Sequence, residues 1–156
     1  MHVVDAGTPV IDAGSPPPFL AMFNGGFESG TTGWSTYGST TSGARAGTSA
    51  LCLSGASAGA EQEVRGQLQE GASYKVSAYG KLGRRGETAA VGMKFLNTSG
   101  TVLAEHYAML SSTSYAQKTL QFVAPQGATR ALVYAYKAAG KGSTATFDEF
   151  TLTRQP

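Results

Sequence analysis

The chain has 156 residues, 12 Lys or Arg against 10 Asp or Glu, a net charge of +2 and a mean hydropathy of −0.13. That length suits one domain with a real core rather than two, and no run approaches the ~20 apolar residues that span a bilayer. The slight basic excess is that of a solvated surface and excludes a strong claim on nucleic acid.

Only 14% of residues are charged and 21 are Gly, with Thr, Ser, Val and Tyr supplying much of the rest. β-branched and aromatic side chains pack on pleated surfaces and Gly permits turn dihedrals, so the composition favours short twisted strands. Residues 1–18 hold a repeat, "VDAGTP" at 4–9 and "IDAGSP" at 11–16, followed by Pro17 and Pro18. The repeat has no apolar periodicity and reads as an extended interdomain linker. It carries two Asp and no Lys or Arg, which leaves a net charge of +4 on the remainder. No cationic, hydrophobic signal segment precedes it. Met1 is therefore expected to begin a fragment of a larger protein, with the domain proper at 19–154.

In chain order, strands are expected near 19–28, 33–37, 49–54, 60–65, 73–82, 89–97, 117–123, 130–138 and 145–153. "QEGAS" (69–73), "NTSG" (97–100) and "APQGAT" (124–129) are turns, with Gly at positive φ and Asn or Pro initiating. No stretch carries a capped helical period, and 107–117 is expected to be a loop. Cys52, the single cysteine, cannot form an internal disulfide and reads as a small buried strand residue. Where alternation is clean it assigns faces. In 73–82, Tyr74, Val76, Ala78 and Leu82 share one side, while Lys75, Ser77, Tyr79 and Lys81 share the other. In 130–137, Ala131, Val133 and Ala135 oppose Arg130, Leu132, Tyr134 and Tyr136. Two tyrosines thus stand in line on an outer face, about 7 Å apart. The fold expected is all-β, an antiparallel two-sheet β-sandwich, with Phe27, Trp34, Tyr74, Val76, Val133 and Phe147 in its core.

An ordered set of short motifs punctuates these strands: "NGGFESGTTGW", "AGTSAL", "AEQEVRGQLQEGASYKVSAYGK" and "FVAPQGATRALVYAYKAAGKGSTATFDEFTL". Together, across residues 23–153, they resemble the carbohydrate-binding modules of families four, nine and twenty-two, which have a galactose-binding-like jelly roll. The chain departs from that pattern at Glu149, where the family usually has a second Asp, and at Ala50–Leu51, where Leu usually follows Ser directly. The resemblance implies a non-catalytic, secreted or cell-surface module that targets an attached enzyme to a polysaccharide, and a monomer within a larger chain.

It also implies a structural calcium near the joined chain ends, with Glu28, Ser49 and Asp148 as candidate ligands. Calcium takes roughly 6–8 oxygens, and loop carbonyls of 45–50 can supply some of them. Glu28 would then clamp the first strand to the last. In the resembled families the groove lies on the sheet of the fourth, sixth and eighth strands. The positions carried over are Glu61 or Gln62, Lys94, Arg130, Tyr134 and Tyr136, with His106 and Tyr107 from the loop after the sixth strand. Lys94 and Arg130 point toward a uronic-acid polymer, and a neutral β-glucan or xylan is the equal alternative.

Catalytic patterns are poor by comparison. Glu61 and Glu63 stand two apart on one strand, within the ~5–9.5 Å that glycoside hydrolysis needs, but exposed strand carboxylates do so routinely. His106 beside Glu105 and Tyr107 could serve a lyase as base, and "YAYKAAG" is similar to a motif of jelly-roll alginate lyases. The Arg-rich and Gln-Ile-His segments of that family are absent. The adjacent Arg84 and Arg85 lie in a turn, "LGRRGET", which is a solvated corner rather than a nucleic-acid contact. The remaining alternative is a structural or adhesion spacer that binds no glycan.

Overall fold

A computed structural model describes residues 22–37, 39–64, 68–138 and 143–156 of the chain. The expected linker at 1–18 lies outside the described residues. Ten strands form: β1 (Ser35–Tyr37), β2 (Ser39–Ser42), β3 (Ala50–Ser54), β4 (Ala58–Glu63), β5 (Ser73–Leu82), β6 (Ala89–Leu96), β7 (Val102–Met109), β8 (Ala116–Val123), β9 (Arg130–Lys137) and β10 (Thr144–Arg154). No helix occurs among the described residues.

The strands make two five-stranded sheets, β1-β4-β9-β6-β7 and β2-β3-β10-β5-β8, and every pairing is antiparallel. This is the antiparallel two-sheet sandwich that the alternation led one to expect, with the jelly roll that the resemblance implied. The inner faces follow period two: Tyr74, Val76 and Ala78 of β5 and Ala131, Val133 and Ala135 of β9 are all buried. Each fully buried large apolar side chain contributes about 1.5–3 kcal/mol, so these two strands anchor the core.

The core has two aromatic ends. Phe27, Trp34 and Phe150 pack with centroids 5.0–6.0 Å apart at one end. At the other, Phe95 meets Phe122 edge-on at 5.2 Å and Tyr74 at 6.5 Å. All six core residues expected from sequence are buried.

Two expected elements differ. The described part of 19–28 is a run of turns rather than a strand, with Asn24 and Phe27 both at positive φ. The Asn24 side chain holds these turns, donating to the carbonyls of Gly30 and Thr32 and accepting from Ser29 N–H. Gly25 is obligatory there, because a Cβ would strike the carbonyl oxygen of Phe150. The second difference is β7, where a loop was expected. Its residues are exposed or half-buried on both faces, so no core-facing period was present to read. The short strand β2 also went unpredicted.

The turn segment is tied to sheet one by the buried Gln62. Its amide accepts from Phe23 N–H at 2.8 Å and donates to the Phe23 carbonyl at 2.7 Å. Lys137 is fully buried, its ammonium donating to the Gly55 carbonyl at 2.9 Å and lying 3.4 Å from Glu87. Cys52 is half-buried on the outer side of β3, paired with Thr146.

Candidate functional site

The outer face of sheet one is built in rungs. One rung runs Tyr37 (β1), Gly59 (β4), Tyr136 (β9), Ala90 (β6), Met109 (β7). The next runs Ser35, Glu61, Tyr134, Gly92, Tyr107. Rings and small residues therefore alternate across the strands, and a sheet so paved is hollowed rather than flat. A cleft of about 310 Å³ results, lined by Tyr37, Glu61, Lys94, Glu105, Tyr134 and Tyr136 over a floor of Gly59 and small β-strand residues.

Tyr134 is the best-held of the rings. Its hydroxyl donates to Glu105 Oε1 at 2.6 Å, and the Lys94 ammonium lies 5.3 Å from its ring centroid. Burial, and then the carboxylate of Glu105, push the phenol well above its ordinary pKa. It stays protonated and keeps donating throughout the physiological range. Tyr136 receives a long 3.4 Å hydrogen bond from Ser57 Oγ. Tyr37 is more than half exposed. Such an arrangement offers apolar ring faces for stacking, with carboxylates and an ammonium at the edges to exchange hydrogen bonds with hydroxyls.

Of the residues expected from sequence, Glu61, Lys94, Tyr134 and Tyr136 come together in the cleft. Tyr107 shares their face, next to Gly92 on the neighbouring strand, and is largely exposed. Two do not join them. Arg130 is on the correct face but spends its guanidinium on Glu63, at 2.6 and 3.3 Å, and lies outside the cleft lining. His106 alternates with Tyr107 along β7, so it faces the other way and stacks on Phe122 at 4.8 Å. Placing both in one loop had hidden that opposition. Sequence reasoning missed Tyr37, Glu105 and Gly59. A tyrosine in a short exposed strand carries no periodic signal, whereas glycines within "AGAEQE" and "AAVGMKFL" are the trace that was there to read.

The two expected metal ligands of the chain ends converge on one loop, residues 45–49. Asp148 is fully buried and accepts from the N–H groups of Arg45 and Ala46 at 2.9 and 3.1 Å, and of Glu149 at 2.8 Å. Glu28 accepts from Thr48 N–H and Oγ1 and from Ser49 N–H at 2.7–3.1 Å. These bonds, the Thr48 hydroxyl first, hold the Glu28 carboxyl below its ordinary pKa. Among the described residues no cluster of three or more His, Cys, Asp or Glu could hold a metal. Carboxylate oxygens are the donors that a hard cation takes, and here those of Asp148 and Glu28 already accept from N–H and hydroxyl groups of the loop and of Glu149.

A β-sandwich with an aromatic cleft across the outer face of one sheet is the architecture of a sugar-binding module. The chain belongs to the carbohydrate binding domain family, which matches residues 21–144. It is 33% identical over 124 residues to a keratan-sulfate endo-1,4-beta-galactosidase of Sphingobacterium multivorum, covering 76% of this chain and 28% of that enzyme. The chain thus spans little more than a quarter of that relative's length. Among solved structures it is similar to a family 16 carbohydrate binding module, with a TM-score of 0.69, 24% identity and coverage of 84% of this chain and 97% of that one. It is also similar to a family 61 module in complex with beta-1,4-galactotriose, with a TM-score of 0.62, 20% identity and coverage of 88% and 99%. These likenesses share the jelly roll. No helix among the described residues is long and apolar enough to cross a membrane.

Proposed function

We propose that the chain is a non-catalytic module that binds a neutral, galactosyl-containing polysaccharide in the cleft of sheet one and so delivers an attached enzyme to it. The observation that carries this reading is the cleft itself, three tyrosines bounded by Glu61, Lys94 and Glu105. Tyr37, Tyr134 and Tyr136 stack on the apolar faces of sugar rings. Glu61 and Glu105 accept hydrogen bonds from sugar hydroxyls, and Lys94 donates them. Two carboxylates against one ammonium disfavour an anionic chain at this spot, and Arg130, the second cation expected to attract one, is paired with Glu63. This moves the reading away from a uronic-acid polymer. Galactose is chosen because the 33%-identical relative is by name a keratan-sulfate endo-1,4-beta-galactosidase; its named polymer is sulfated, so the galactosyl unit and not the charge is carried over.

Tethering to an enzyme on a secreted or surface protein would raise that enzyme's local concentration at the polymer. The test is affinity electrophoresis on β-1,4-galactan, keratan sulfate, xylan and polygalacturonate. Retardation by galactan above polygalacturonate is expected. Retardation by none of the four favours a structural or adhesion spacer, and retardation by polygalacturonate alone overturns the neutral reading.

Calcium, held by Glu28 and Asp148 with Ser49 and loop carbonyls, is the second part of the proposal. When bound it would neutralise the buried Asp148 charge and fasten the 45–49 loop to both chain ends. Because only the folded chain presents the site, calcium should raise the melting temperature relative to chelator. An identical melt in both removes calcium from the reading and leaves the two carboxylates to their N–H donors and the Thr48 hydroxyl.

A further inference from the structure

We infer that Gly92 and Gly59 are positioning residues of the cleft, seats onto which Tyr134 and Tyr37 are folded, with Glu105 holding Tyr134 down. The inference rests on the reading of the cleft as a glycan site and names what orients its rings.

A Cβ built on Gly92 would lie 2.5 Å from Cε1 of Tyr134, with Cζ and the hydroxyl closer still. One built on Gly59 would lie 2.8 Å from Cε1 and from the hydroxyl oxygen of Tyr37. The ring tips therefore occupy the space that any side chain at 59 or 92 would fill. Neither glycine is required by its backbone. Among the described residues the glycines at positive φ are Gly30, Gly33, Gly47, Gly55, Gly71, Gly86, Gly100 and Gly127, whereas Gly59 and Gly92 lie within β4 and β6. Glycine within a strand weakens it and marks a close approach by something else. Here the approaching group is in each case a tyrosine from an adjacent strand, Tyr37 paired with Gly59 and Tyr134 paired with Gly92.

The Tyr134 hydroxyl, past the edge of Gly92, ends on Glu105 of β7. Strand β6 thus runs under the ring, while β9 supplies it and β7 fastens its tip. A ring laid down in advance loses little freedom when a sugar stacks on it, which is how preorganisation raises affinity. The chemistry is specific to flat, rigid faces, so the ligand is read by ring plane before it is read by hydroxyls.

The experiment compares parent, Gly92→Ala, Gly59→Ala, Glu105→Ala and Glu105→Gln by calorimetric titration with β-1,4-galactotriose, by near-ultraviolet circular dichroism and by thermal melting. Gly92→Ala should keep the fold, because the atom it meets is the free end of a side chain that can swing away. It should weaken binding about tenfold or more and change the tyrosine dichroism. Gly59→Ala should act in the same direction through Tyr37. Glu105→Ala should weaken binding and bring the Tyr134 phenol titration down. Glu105→Gln, whose amide oxygen still accepts from the hydroxyl, should keep most of the affinity. Unchanged affinity and dichroism in both glycine variants overturn the seats, and equal loss in Glu105→Ala and Glu105→Gln overturns the fastening. If the parent itself binds no galactotriose, the functional reading fails, and the dichroism and phenol titration alone decide the seats.

Discussion

Both outer faces of the sandwich carry tyrosines, and the cleft lies on one of them. On sheet one the rings of Tyr37 and Tyr134 rest on glycine and leave a cleft above. On sheet two the rings are capped by cations. The Arg45 guanidinium lies 3.5 Å from the Tyr79 centroid and the Lys81 ammonium 4.8 Å from that of Tyr115. Arg45 also pairs with Glu149, and its own N–H reaches the buried Asp148. The 45–49 loop is thereby pinned against the sheet where Tyr79 pairs with Asp148. The number of aromatic residues does not distinguish these faces. What lies around the rings does: glycine beneath Tyr37 and Tyr134 leaves a cleft with Lys94 at its edge, 5.3 Å from the Tyr134 centroid, whereas the closer cations over Tyr79 and Tyr115 spend those rings on stability.

If this division is correct, substitutions on the two faces should separate stability from binding. The largest effect should come from Asp148→Ala, which leaves three N–H donors of the second face without their carboxylate. Hydrogen bonds to a charged group are worth about 1.5–3 kcal/mol each, so a loss of about 3 kcal/mol or more in denaturant unfolding is expected. Wild-type stability in this variant would show that the clasp holds nothing.

Next comes Tyr134→Ala, expected to weaken glycan binding by about 1–3 kcal/mol, by analogy with stacking on other flat rings, with little change in melting. Tyr79→Ala on the other face should leave titration curves unchanged. If the two variants bound alike, the open face would lose its claim to the ligand.

A smaller effect is expected of Arg45→Ala. It removes a cation–π contact worth about 0.5–1 kcal/mol at exposed sites and a half-exposed ion pair of little value. The melting temperature should fall by about 2–4 °C for each kcal/mol in a chain of this size. Uncapping Tyr79 should not create glycan binding, because Tyr79 pairs with Asp148 and Gln117 rather than with glycine.

The smallest effect is a pH dependence at Glu28. Its folded pKa lies below its ordinary value, so the unfolded chain takes up the proton first as pH falls. Its contribution is complete above the ordinary carboxylate range and disappears as pH drops through the depressed folded value. The melting difference between parent and Glu28→Gln should therefore shrink on acidification. A difference that grows instead would mean that Glu28 is not held by the Thr48 and Ser49 donors.

Much of the fold was readable before the structure. Strands β5 and β9 each bury one face, so period two named their core residues, and the turns between strands announced themselves by Gly, Pro and Asn. Failure came where burial was absent or two-sided. Strand β7 has no buried face and reads as loop, and "NGGFESG" has an apolar residue at positive φ that no periodicity foresees. The cleft was readable by half. Tyr134, Tyr136, Lys94 and Glu61 follow from strand faces and family motifs, but Tyr37 and Glu105 sit on the two edge strands, which bury no face and so carry no periodic signal.

By itself the sequence determined that this chain is a β-sandwich, which residues of its long strands point inward, and that tyrosines stand on an outer face. Those properties are local, since alternation acts within one strand and turn chemistry within four residues. Only the tertiary structure decided that Tyr134 lies over Gly92, that Tyr37 lies over Gly59, and that Arg130 turns to Glu63 instead of the cleft. Each of these depends on the register between strands separated by tens of residues. Period two says which face a side chain takes and says nothing of which neighbour it meets there.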